Sequence, residues 1–134
     1  VAYAYREIVV LGELPDSVAK TVPGLSQTVV ELLEPLVAAG EQPAAVYGLL
    51  GDSYLRAGWM DQAQRAFVEA ERIASREGDF ETRLGARLGL VKVAAWRMEA
   101  EVAVDYLWAA LRDASYLEDR EQADVILQWI RKLS

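Results

Sequence analysis

A leucine–glycine dipeptide recurs along this chain at Leu11-Gly12, Leu50-Gly51 and Leu88-Gly89, with spacings of 39 and 38 residues. A further step of 38 residues lands on Ile126-Leu127. Self-similarity at such a period marks a supersecondary unit that cannot bury its apolar face alone and must lean on its neighbours. Helix-breaking residues fall in step with it, at Gly12–Pro15, Pro23–Gly24, Gly40–Pro43, Gly58, Gly78–Asp79 and about Trp96–Glu99.

Between these breaks the apolar residues follow a helical period. The pattern predicts a first helix over Ala2–Leu11 and a short turn of helix over Asp16–Thr21. A second helix follows from a Ser26 cap to about Ala39, kinked or loosened by Pro35. The third spans Pro43–Ala57, the fourth Gln62–Glu77 behind an Asp61 cap, and the fifth Phe80–Trp96 behind Asp79. The last two cover about Ala100–Ser115 and Arg120–Leu133. Ala, Leu, Glu, Arg and Gln dominate, which are good helix formers. The expectation is one all-α domain over residues 1–134, an antiparallel helix-pair solenoid of about seven helices.

The sharpest unit is Ala44–Glu77, with Tyr47, Leu50, Gly51 and Tyr54, then Gly58, then Ala63, Phe67 and Ala70. It resembles the tetratricopeptide-repeat signature: aromatic-x2-Leu-Gly-x2-Tyr on one helix and Ala-x3-Phe-x2-Ala on the next. Small residues at Gly51 and Ala63 let two helices approach, and Tyr47, Leu50, Tyr54 and Phe67 fill the space around that contact. Ser75 replaces the family's closing proline. The resemblance weakens over 80–115: Leu88 and Gly89 hold their slots, but Gly85 and Lys92 replace the two aromatics. There Ala103, Leu107 and Ala110 match the second helix only if about two residues are inserted near Trp96. Residues 1–41 form a degenerate helix pair and 119–133 a terminal helix, both by period alone.

The resemblance implies a concave groove lined by the first helix of each pair. Carried onto this sequence, that face shows Ala45, Gly48, Asp52, Leu55 and Arg56, then Arg83, Ala86, Arg87, Leu90 and Ala94. Arg83 and Arg87 stand one turn apart and occupy two slots like those with which some members grip a C-terminal carboxylate. The rest of that clamp is missing, since Gly48 and Asp52 replace its Lys and Asn. The competing reading is that both arginines are solvated or pair with Asp52, Glu81 or other nearby acids. Trp59, Trp108 and Trp129 are candidate exposed anchors, because a tryptophan on the surface is a common interface residue. The terminal helix carries Ile126, Leu127, Trp129 and Ile130, too many apolar positions for one face, which reads as a first helix lacking its partner, as a cap, or as a surface for homo-oligomerisation.

Composition then removes most chemistry. Cys and His are both absent, so disulfides, thiol nucleophiles, His-based triads and nearly every structural zinc site are excluded. No metal and no cofactor is expected. Gly48–Ser53 lacks the lysine of a phosphate-binding loop and lies within a helix. Acids at helix starts, such as Glu99, Glu101, Glu118 and Asp119, answer the helix dipole. A net charge of −7 repels phosphate backbones, so nucleic acid is not an expected partner. No apolar run of membrane-spanning length and no signal-peptide pattern are present, and a cytoplasmic location is expected. Because it begins at Val1, the chain is expected to be a piece of a longer protein. The function expected is non-enzymatic: an interaction module or scaffold holding a helix or peptide of another protein. The alternative is a regulatory or sensor domain of a larger bacterial transcriptional or signalling protein, with a closed pocket.

Overall fold

A computed structural model describes residues 25–134, so the expected helix Ala2–Leu11 and turn Asp16–Thr21 lie outside the described residues. The described chain is all-helical: α1 (Leu25–Ala39), α2 (Ala44–Ala57), α3 (Met60–Glu77), α4 (Phe80–Trp96), α5 (Ala100–Tyr116) and α6 (Arg120–Leu133), with no strand among them. α4 and α6 begin behind Asp79 and Asp119, whose carboxylates accept from the backbone N–H of Thr82 and Gln122, both at 3.1 Å. α3 begins two residues earlier than expected. Trp59 holds its N-cap position, and Asp61 lies inside the first turn, where its charge meets the positive end of the helix dipole. Pro43 caps α2 from outside, and Pro35 stands within α1 without ending it.

Four turns share one geometry. Gly58, Gly78, Met98 and Glu118 each adopt the left-handed conformation, with φ between 55° and 83°. The next residue's N–H then reaches back to a carbonyl five positions earlier: Trp59 to Tyr54, Asp79 to Ala74, Glu99 to Ala94 and Asp119 to Ala114. This is the Schellman closure of a helix C-terminus, and at each turn the following helix starts one residue later, at 60, 80, 100 and 120. The structural pitch is therefore 20 residues per helix and 40 per pair.

The leucine–glycine recurrence is two residues short of that pitch. The counterpart of Gly51 is Val91 rather than Gly89. Gly51 and Gly89 nonetheless serve one side chain: a Cβ at either would stand 2.6 Å and 2.5 Å, respectively, from Cε1 of Phe67. The ring of Phe67 needs bare backbone on both α2 and α4, and this requirement accounts for both glycines.

Each helix packs on the next in chain order, and α2 also meets α4 directly. Two apolar clusters result. One gathers Tyr47, Leu50, Phe67 and Ile73 with Leu90 and Val93, and the other gathers Leu84, Val91 and Leu107 with Ile126, Trp129 and Ile130. Phe67 and Leu107 occupy equivalent places one pair apart, and Tyr106 packs against both clusters.

Candidate functional site

The pitch decides which face of α4 is open. A slip of two residues turns a helical position by about 200°, so slots assigned from Leu88-Gly89 fall on the wrong side. Ala86, Leu90 and Ala94, expected in the groove, are buried, Leu90 to 2% exposure. The face that α4 leaves open runs instead through Glu81, Gly85, Leu88, Lys92 and Trp96. On α2, where the motif and the pitch agree, Ala45, Gly48, Asp52 and Arg56 lie on the partly or fully exposed face. Leu55 does not: it turns inward with Tyr54, and Leu49 is the exposed leucine of this helix.

Between α4 and α6 this face opens into a cleft of about 270 Å³. Leu88 and Val91 form one wall, Val125, Ile126 and Trp129 the other, and Leu107 of α5 the floor. Lys92, Glu121 and Gln122 edge it. Past Leu88 and Gln122 the cleft continues toward the helix starts between Glu81, Gly85 and Asp119. Since the beginning of α4 faces the beginning of α6 there, the two helices run in the same direction. Gly85 leaves this stretch unobstructed, as a Cβ there would meet no atom within 4 Å.

At the other end, Asp52, Arg56 and Lys92 gather on the shared face of α2 and α4. Burial pushes the Asp52 carboxyl up from its ordinary value, against the attraction of Lys92 and Arg56. Burial likewise pushes the Lys92 ammonium down, opposed by Asp52 and aided by Arg56. No ion pair joins these groups within 4 Å among the described residues, and the buried Nε of Arg56 lacks a hydrogen-bond partner. By contrast Arg72, Arg76, Arg83, Arg87 and Arg97 all hold carboxylates.

Arg83 and Arg87 do not face the groove. Both reach the fully buried Asp113 of α5, at 2.6 Å and 2.8 Å, one to each carboxylate oxygen. Arg87 also bonds Glu71 of α3 at 2.8 Å and the Ala109 carbonyl, while Arg83 lies over the ring of Phe80. The arginine pair thus ties α3, α4 and α5 together through two nearby acids, Asp113 and Glu71, in line with the competing reading that both arginines pair with acids of the chain. Trp59 is half-exposed against Tyr54, and Trp108 is half-exposed on α5. Trp129 is not an exposed anchor: it is 8% exposed and walls the cleft. Ile126 and Ile130 are buried with it against α5, while Leu127 stays partly exposed and Val125 is exposed on the same helix.

Sequence reasoning missed Leu88, Lys92 and Trp96. The signal was present, because the two-residue insertion needed to align Ala103, Leu107 and Ala110 is the difference between 38 and the pitch of 40. Among the described residues no helix is long and apolar enough to cross a membrane, and no cluster of three or more ligand-type side chains could hold a metal ion.

Against known proteins, no family model matches this chain, and no solved structure matches it. Over 94 residues, 70% of the chain, it is 34% identical to an acyl-(acyl-carrier-protein)–UDP-N-acetylglucosamine O-acyltransferase of Thiobacillus denitrificans. That stretch spans 36% of the enzyme's length, so the chain is similar to about a third of it.

Proposed function

We propose that this chain is a tetratricopeptide-type stack of helix pairs that holds a helical segment of another protein in the α4–α6 cleft. The α2–α3 pair keeps the family's signature residues, and the 20-residue pitch repeats one helix-turn unit through α6. The observation that carries the reading is the cleft itself. It is apolar along its walls, edged by Lys92, Glu121 and Gln122, and it runs on past Leu88 and Gln122 toward the helix starts. An elongated cleft favours a protein segment over the closed small-molecule pocket of a sensor, which leaves the regulatory reading second. We place the protein in the cytoplasm and assign it no acyl transfer. The matched stretch covers a minor part of the acyltransferase, and this chain has neither His nor Cys to supply a common base or nucleophile.

A photo-crosslinking amino acid tests the proposal directly. Placed at Gly85 or Val125, on the cleft, it should capture a protein in cells. At Val68 of α3 or Val102 of α5, on other exposed surfaces, it should not. Capture from Val68 and Val102 alone would refute the groove.

A further inference from the structure

The cleft has a direction, because its two ends carry opposite charge. Glu81, Asp119 and Glu121 stand where α4 and α6 begin. Lys92 stands toward the end of α4, with Arg56 of α2 beside it, and the Lys132 ammonium near the end of α6 lies 4.7 Å from the ring of Trp129. Asp52 offsets one of the two cations Arg56 and Lys92, and these three groups keep one net positive charge. From Glu81 to Trp96 the open face of α4 runs about 22 Å at 1.5 Å per residue, the length of a four-turn helix.

We infer that the bound segment is an amphipathic helix with an acidic N-terminal turn and a basic C-terminal turn, and that it runs antiparallel to α4 and α6. Two independent physical terms give this direction. Charge complementarity places the partner's acids over Lys92 and Arg56 and its bases over Glu81 and Glu121. The helix dipole favours acids at a helix N-terminus and bases at its C-terminus, so a partner lying this way also satisfies its own ends. A parallel helix with the same charge complementarity would carry bases at its N-terminus and acids at its C-terminus, against its dipole. The apolar stripe of the partner sits between Leu88 and Val125, above Leu107. Arg56 and Lys92 have no bonded carboxylate because the carboxylate they are placed to meet belongs to the partner.

This inference rests on the groove reading, and one experiment separates the two. Two stapled helices of about 16 residues share a leucine stripe. One carries Glu in its first turn and Lys in its last, and the other carries the reverse. Stapling equalises their helicity. Titrated by calorimetry against the whole chain at low salt, the first should bind about tenfold more tightly, Lys92→Glu should erase or invert that preference, and added salt should narrow it. Equal affinities, the opposite preference, or a preference untouched by Lys92→Glu would overturn the polarity. If both peptides bind equally and Gly85→Trp abolishes both, the groove stands and the direction falls. If neither binds, or Gly85→Trp changes nothing, the groove reading falls with it. Lys92-dependent binding of decanoate with no binding of either helix would make the cleft a small-molecule pocket and overturn both.

Discussion

Asp113 lies one 40-residue pair beyond Ile73, and Arg87 stands in the same relation to Tyr47. Two buried apolar places in one pair are thus filled by an ion pair in the next. Asp113 is fully buried, and its two oxygens are held by Arg83 and Arg87. Removing it leaves two guanidinium groups withdrawn from water, with Glu71 as the one carboxylate still bonded to the pair. Asp113→Ala should therefore cost about 3–5 kcal/mol in urea unfolding. The glycines divide just as sharply. Gly89→Ala should destabilise by about 1–3 kcal/mol, because its methyl enters the space of the Phe67 ring. Gly85→Ala, one turn earlier on the open face, should stabilise by about 0.5–1 kcal/mol through helix propensity alone. Tyr54 sets an alkaline limit. Its hydroxyl donates to Glu34 at 2.5 Å, and burial, then that bond, raises its pKa to about 12. The unfolded phenol ionises near 10, so the contribution is full below pH 10 and is lost as pH rises through about 12. Phenolate absorbance should show Tyr54 ionising above the ordinary phenol range, and Tyr54→Phe should flatten the loss of stability across that window.

At the scale of the element, the turns govern both stability and legibility. Gly58 and Gly78 take the left-handed conformation at little cost, whereas Met98 and Glu118 take it against the crowding of their own Cβ. Met98→Gly and Glu118→Gly should each stabilise by about 1 kcal/mol in thermal unfolding, in contrast to an ordinary exposed glycine substitution. The helix bounds were legible within a residue or two at all four turns, whether glycine, methionine or glutamate stands there. What the sequence concealed was the register within α4, where Leu88-Gly89 offers a repeat of 38 in place of 40. Asp79 and Asp119 declared the starts of α4 and α6 through ordinary capping chemistry. Trp59 and Glu99 cap without a side-chain bond, and α3 accordingly begins earlier than its carboxylate at Asp61 implied. The all-helical class was legible throughout. The open face of α4 was not, since two residues of register exchange a helix's wet side for its dry one.

At the scale of the whole molecule, the two apolar clusters of the described helices share α4 and Tyr106. If the helix pairs stack as proposed, energies pass mainly between neighbours. Leu107→Ala removes the floor of the cleft and the centre of the second cluster, and should cost about 2–5 kcal/mol. Hydrogen exchange should show the loosening concentrated in α5 and α6, with α2 and α3 still protected. Phe67→Ala should loosen α2 through α4 together, because that ring lies against all three helices. Protection lost evenly across the chain in both variants would mean that the stack unfolds as one unit.

The ring of Phe67 has one more consequence. An aromatic ring circulates current in a magnetic field, and the α-protons of Gly51 and Gly89, bare of side chains, lie within its reach. Their resonances therefore act as a ruler set between α2 and α4. A helix that settles beside α4 and shifts it by a fraction of an ångström should move the Gly89 signals relative to those of Gly51. The chain would then register an occupied groove spectroscopically, with no label attached.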